Sequence, residues 1–195
     1  MKKRDFLAVS AAAASMLPVG LLAQQTSKNL RTPALLTVTG LIGKGNRGAL
    51  DAALDQMMTK QKIKFDKAFV FDFAAITALA KVEIRPTLEY DNKPHQLSGP
   101  LLSDVARAAG AAAAGTRLLL RAVDGYNVAI SLADAQKYRF IVATHLDGRP
   151  MPLGGLGPLW AVYDADRYAD MAAKPVTDRF GLCPWGLYHI EVQPA

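Results

Sequence analysis

The sequence predicts an α+β fold. Short runs of β-branched and apolar residues read as strands, the helical patterns between them are also short, and the two do not alternate regularly as a parallel βαβ array requires. The chain has 195 residues. Residues 34–195 are expected to form one domain, behind a signal peptide over 1–23 and a flexible leader over 24–33.

The N-terminal expectation rests on charge and apolarity. Lys2, Lys3 and Arg4 form a positive start, an alanine-rich apolar stretch interrupted by Pro18 and Gly20 follows, and Ala23 suits a cleavage site. The stretch is short for a membrane span. Residues 3–7, Lys-Arg-Asp-Phe-Leu, resemble a twin-arginine export signal with lysine in the first arginine place, so Sec and twin-arginine export both stay open. Either route predicts a periplasmic or secreted protein with no stable membrane span after cleavage.

The elements follow in order. Leu35 to Thr39 reads as a strand ended by Gly40, and residues 48–59 carry Leu50, Leu54, Met57 and Met58 at helical spacing. Residues 67–73 alternate as a strand, and 74–80 form a short helical run. Ser98 or Gly99 suits a helix cap, with Pro100 in the first turn, Leu101, Leu102, Val105 and Ala109 on one face, and Gly110 at the end. Residues 117–123 and 128–130 read as strands around the Asp124-Gly125-Tyr126 turn. Ser131 and Asp134 have the spacing of a capping box, opening a brief helix to Tyr138. Residues 140–144, 159–163 and 187–192 supply the remaining strands.

Composition excludes some functions. The formal net charge is +6, and the predicted signal holds three positive charges and one negative, so the mature chain is left with +4. Its lysines and arginines are scattered without an aromatic-interleaved basic stripe, so no nucleic-acid partner is expected. A single cysteine, Cys183, excludes an internal disulfide and reads as a small buried side chain. His95, His145 and His189 are far apart, so no metal site is predicted, and no nucleophile elbow is present. Asp164, Asp166 and Asp170 read as a solvated loop. Residues 43–48, Gly-Lys-Gly-Asn-Arg-Gly, satisfy the dinucleotide-binding glycine pattern, but the repeated βαβ units that give it meaning do not follow. The most site-like group is His145-Leu146-Asp147-Gly148-Arg149 with Trp160 nearby. There Asp147-Gly148 reads as a tight turn, and Arg149 is suited to clamp an anion.

Four short signatures carry a resemblance. They are Gln-Leu-Ser-Gly-Pro-Leu-Leu-Ser-Asp-Val at 96–105, Asp-Gly-Tyr at 124–126, Asp-Gly-Arg-Pro-Met at 147–151 and Gly-Pro-Leu-Trp at 157–160. In this order, from about Leu36 to Val192, the chain resembles the sulfite-oxidase-like molybdopterin-binding domain family. The resemblance implies a sulfite-oxidase-like fold of β-rich mixed sheets with short peripheral helices. In catalytic members it implies a cysteine thiolate on molybdenum and basic groups on the pterin phosphate, because a buried phosphate needs compensating charge.

Three departures bear on function. Residues 84–90, Ile-Arg-Pro-Thr-Leu-Glu-Tyr, lie where the family keeps its cysteine and contain none. Trp160 stands two positions after Pro158, where larger enzymes often carry arginine, and the lysines of their final segment are missing around residues 183–188. These departures predict a protein without thiolate-ligated molybdenum, no catalytic residue, and a vacated cleft filled or lined by Trp160 and Trp185. His145, Arg149, Trp160 and Trp185 are the candidate ligand-cleft residues. The expected function is a periplasmic ligand-binding, sensory or accessory module with a small-molecule or protein partner. An atypical molybdopterin-dependent oxidoreductase is the alternative, with molybdopterin as its cofactor, and a nucleotide-binding protein using residues 43–48 is the third.

Overall fold

Leu36, Thr37, Val38 and Thr39 are all buried, which gives their strand two covered faces and explains its unbroken β-branched run. The structure, a computed structural model, describes residues 32–112 and 115–195. The expected signal peptide and nearly all of the leader lie outside them. In chain order the elements are β1 (Leu36–Gly40), α1 (Gln56–Lys60), β2 (Phe69–Phe71), α2 (Phe73–Thr77), β3 (Lys81–Ile84) and β4 (Leu97–Pro100). Then come α3 (Leu102–Ala108), β5 (Thr116–Ala122), β6 (Asn127–Ser131), α4 (Leu132–Lys137), β7 (Ile141–Ala143) and β8 (His145–Leu146). The chain finishes with β9 (Arg149–Pro150), β10 (Trp160–Val162), α5 (Ala169–Ala172) and β11 (Leu187–Pro194).

Three sheets carry the fold. The largest has the order β2-β1-β11-β5-β6, a second pairs β10 with β7, and a third has the order β3-β4-β8-β9. β11 lies parallel to β1 and antiparallel to β5. One core runs through these sheets, with Leu36, Leu97, Leu118, Ile141, Trp160 and Ile190 fully buried. A small satellite of Met58, Ile63 and Tyr188 sits beside it.

Several expectations hold. Ser131 Oγ accepts the backbone N–H of Asp134 at 2.9 Å and opens α4, although it donates to the Asp134 carboxylate instead of receiving a return bond at its own N–H. Gly110 ends α3 with φ +83°. Asp147 and Gly148 both have positive φ, +48° and +77°, as a two-residue hairpin turn between β8 and β9 requires.

Others are corrected. Ser98 and Gly99 do not cap a helix: they belong to β4, buried between β3 and β8, and Leu101 precedes α3 without a side-chain cap. The helix expected over 48–59 shrinks to α1. Asp51 Oδ1 accepts the N–H groups of Ala53 and Leu54 at 2.9 and 3.2 Å, closing a separate turn there, and Leu54 is left exposed. Lys81-Val82-Glu83-Ile84 forms an additional strand whose side chains alternate polar and apolar.

His189 is fully buried on β11. Its Nδ1 lies 3.0 Å from an Arg121 guanidinium nitrogen, which only donates, so Nδ1 accepts and Nε2–H donates to Thr39 Oγ1 at 3.0 Å. Glu191 closes the network on Arg121 at 2.7 Å. Burial, then the Arg121 charge, holds the imidazole down at about 3. The unfolded chain therefore binds a proton near pH 6.5 that the folded chain refuses, and stability falls as pH drops below that value. Between pH 6.5 and 5 we expect this to remove on the order of 1 kcal/mol. Urea titrations of the parent and His189→Gln should show the loss only in the parent, and equal pH slopes would contradict the buried neutral ring.

Candidate functional site

A cavity of about 330 Å³ opens where three stretches distant in sequence meet. The first is the loop after β3, the second is the β5–β6 turn, and the third is the segment leading into β11. The volume is in the range that takes a small molecule.

The loop after β3 contributes Glu89 and Tyr90. It folds back on itself through bonds from Leu88 N to Lys93 O at 3.0 Å and from Asn92 N to Leu88 O at 3.0 Å. Two carboxylates hold its start. Asp164, buried, accepts Arg85 N at 3.2 Å, and Asp166 accepts Thr87 N at 2.7 Å while pairing with Arg179 at 2.7 Å. Asp170 accepts the Tyr138 hydroxyl at 2.5 Å. Asp164 and Asp166, which read as solvated loop in the sequence, thus anchor the loop that brings Glu89 and Tyr90 to the cavity, whereas Asp170 is exposed and ties α5 to Tyr138.

The β5–β6 turn contributes Asp124 and Tyr126. Asp124 Oδ1 accepts Tyr126 N at 2.9 Å, and Gly125 takes φ +95°, so the turn is closed by its own side chain. The Tyr126 hydroxyl reaches across to donate to Gly181 O at 2.7 Å, tying this turn to the third stretch.

That stretch supplies Phe180, Cys183 and Trp185. Trp160 lies behind it, fully buried, and donates its indole N–H to Cys183 O at 2.8 Å. Its ring stands 6.2 Å from Phe180 and 6.5 Å from Tyr90, centre to centre. Partial burial, then the Glu89 carboxylate, pushes the Tyr90 phenol up to about 12. Burial drives the Cys183 thiol far above its ordinary range, with the Glu89 charge adding to it.

The four ligand-cleft residues predicted from sequence do not share this cavity. Trp185 lines it, and Trp160 supports it from the core. His145 and Arg149 belong to the hairpin of the third sheet, where His145 Nδ1 meets Thr144 Oγ1 at 2.8 Å and its ring faces Phe73, while Arg149 is exposed. The physical reason is the β8–β9 turn, which carries Asp147 to His95 instead. His95 Nδ1 and Nε2 reach Asp147 and Asp91 at 2.7 and 3.0 Å, and these carboxylates, Asp147 first, hold its imidazole above the ordinary value.

Residues 43–48 are also spent on the fold. The N–H groups of Gly43 and Lys44 donate to Gly110 O and Ala109 O, and those of Asn46 and Arg47 donate to Ala68 O. Asn46 exchanges two further bonds with Val70, and Arg47 pairs with Asp55. A phosphate cradle needs such N–H groups free at a helix start. Here they are bonded, and α1 begins only at Gln56.

The cavity's donor set does not fit a phosphorylated pterin with thiolate-held molybdenum. None of its lining residues is lysine or arginine, its two charged side chains are the carboxylates Glu89 and Asp124, and its one thiol, Cys183, comes from the segment leading into β11. Among the described residues no group of three or more His, Cys, Asp or Glu is arranged to hold a metal ion. The residues that sequence reasoning missed, Glu89, Tyr90, Asp124, Tyr126 and Phe180, come from turns and loops. Of these, Asp124 and Tyr126 carry a turn signal in the sequence, and Glu89 and Tyr90 lie in the cysteine-free stretch 84–90.

No protein-family model matches the chain, and no curated protein matches it. Among solved structures, the sulfane dehydrogenase SoxCD from Paracoccus pantotrophus is similar, with a TM-score of 0.52 at 11% sequence identity. The match covers 80% of this chain and 37% of that one, so this chain spans little more than a third of the neighbour's length. At this identity the likeness shows fold alone. The sheet-rich α+β architecture is that of a sulfite-oxidase-like neighbour, and the similarity to a molybdopterin oxidoreductase is distant.

Proposed function

We propose that this protein is an exported, periplasmic ligand-binding module that keeps a molybdopterin-oxidoreductase-like scaffold and works without thiolate-ligated molybdenum. The observation that carries the reading is the lining of the cavity. Residues 84–90, which stand where the resembled family keeps its cysteine, deliver Glu89 and Tyr90 to it, and no basic residue lines the cavity to hold a phosphate. Cys183, the one cysteine of the chain, reaches the same cavity from the segment leading into β11 and not from residues 84–90, and burial raises its thiol above the ordinary range. A shaped cavity with rings and a few polar groups remains, which is the architecture of a binding site. Sensory or accessory roles follow if a bound ligand is relayed to a protein partner.

The test is elemental analysis and an absorption spectrum of protein purified from its own host, with circular dichroism to establish that it is folded. We expect folded protein with no stoichiometric molybdenum and no pterin absorption. One molybdenum per chain with a pterin chromophore would establish the atypical oxidoreductase in its place.

A further inference from the structure

The exposed aromatic residues of this protein are not scattered. Among the described residues three aromatic side chains are exposed, Tyr90 at 55%, Tyr126 at 48% and Trp185 at 37%, and all three line the cavity described above. Every other described Phe, Tyr or Trp is buried or half-buried. Large rings left in water carry a standing cost, and their collection around one opening marks a surface that meets something.

Charge narrows what that is. The chain as a whole is basic, with a formal net charge of +6. The cavity inverts this sign, because Glu89 and Asp124 are its charged lining residues. Arg179, next to the lining residue Phe180, is turned to Asp166 and to the carbonyls of Lys174 and Ala172. Arg121, next to the lining residue Ala122, is engaged by Glu191 and His189. Ring faces carry negative quadrupole potential, and two carboxylates beside them reinforce it. Anions are repelled from such a site, and neutral aromatics gain nothing from its acids.

We infer that the cavity takes a small organic cation, an alkylammonium or quaternary ammonium compound, held against the rings of Tyr90, Tyr126, Phe180 and Trp185 with Glu89 and Asp124 balancing its charge. This rests on the ligand-binding reading above and adds the ligand's chemical class. A quaternary ammonium group donates no hydrogen bond, so it suits a site whose recognition comes from ring faces and fixed charge. The site is also braced before the ligand arrives. The Tyr126 hydroxyl is bonded to Gly181 O and Trp160 is bonded to Cys183 O, so two sides of the cavity are fixed and little ordering is left for binding.

The experiment is a titration of the whole purified protein with choline chloride and tetramethylammonium chloride. Tryptophan fluorescence and calorimetry are the readouts, and ionic strength is held constant with sodium chloride. The neutral isostere 3,3-dimethyl-1-butanol and inorganic phosphate are titrated in parallel. We expect saturable binding of the cations, at least about tenfold weaker binding of the neutral isostere, and none of phosphate. Trp185→Ala and Glu89→Gln should each weaken cation binding about tenfold or more while leaving the melting temperature near that of the parent. Equal affinity for the isostere, a preference for phosphate, or no binding of either cation would overturn the assignment of ligand class. The first two of these results would still leave a binding module, whereas stoichiometric molybdenum in the native protein would remove the reading beneath it.

Discussion

Trp160→Ala is expected to lower folding stability by about 3–5 kcal/mol, the cost of emptying the site of a large, fully buried ring. The lost indole N–H also leaves Cys183 O without its partner. For a protein of this size the melting temperature should fall by about 10 °C. Trp185, two-thirds covered and on the cavity wall, should behave differently, with its alanine variant within about 1 kcal/mol of the parent. Differential scanning calorimetry of the two variants checks the assignment. Matching melting temperatures would show that Trp160 is not the core residue described.

Gly99→Ala should be worse tolerated than its one added methyl suggests. A Cβ at Gly99 would sit 1.9 Å from the Val142 carbonyl oxygen and 2.9 Å from Ala143 Cα, where β4 passes β7. Both neighbours are backbone in a packed core, so neither yields by a rotamer change, and the expected cost is about 3 kcal/mol or more. Gly125→Ala is the control. Nothing lies within 4 Å of that Cβ, so only its φ of +95° opposes the change, at a cost of about 1 kcal/mol. Chemical denaturation ranks the two, and a Gly99 variant as stable as the Gly125 variant would refute the close approach.

Gly99 also shows what the sequence conveyed and what it hid. As part of Ser-Gly-Pro it has the local grammar of a helix start, and the helix does begin two residues after Pro100. Its actual constraint is a neighbouring backbone more than 40 positions away, which no local pattern encodes. The strands were more legible. β1, the β5–β6 hairpin, β7, β10 and β11 all fall within a residue or two of their apolar runs, because burial and strand periodicity act locally. β3 was missed, although Lys81-Val82-Glu83-Ile84 alternates as a half-covered strand does. α1 failed because Asp51 and Asp55 offered the backbone a competing turn.

The site was less legible than the fold. Trp185 stands out in the sequence as an aromatic in a departing segment, but Trp160 does so equally, and only packing separates wall from core. Glu89 and Tyr90 sit inside the very stretch whose missing thiol is the main sequence clue. Their pairing with Asp124 and Tyr126 is a product of three loops converging. Asp164 and Asp166 look like surface charge until the N–H groups of Arg85 and Thr87 are seen to need acceptors.

The parallel pairing of β1 with β11 has a consequence for how the protein is made. Thr39 and His189, bonded across that pair, are 150 positions apart. At about 5–20 residues per second, a ribosome needs roughly ten to thirty seconds to travel from one to the other. Throughout that interval β1 exists, soon joined by β2, while the strand that must lie between β1 and β5 has not been synthesised. The apolar faces of Leu36 and Val38 therefore wait without their final cover, and the central sheet closes only once β11 has been made. Nascent chains stalled before residue 187 should be protease-sensitive and dependent on chaperones, however stable the finished protein proves.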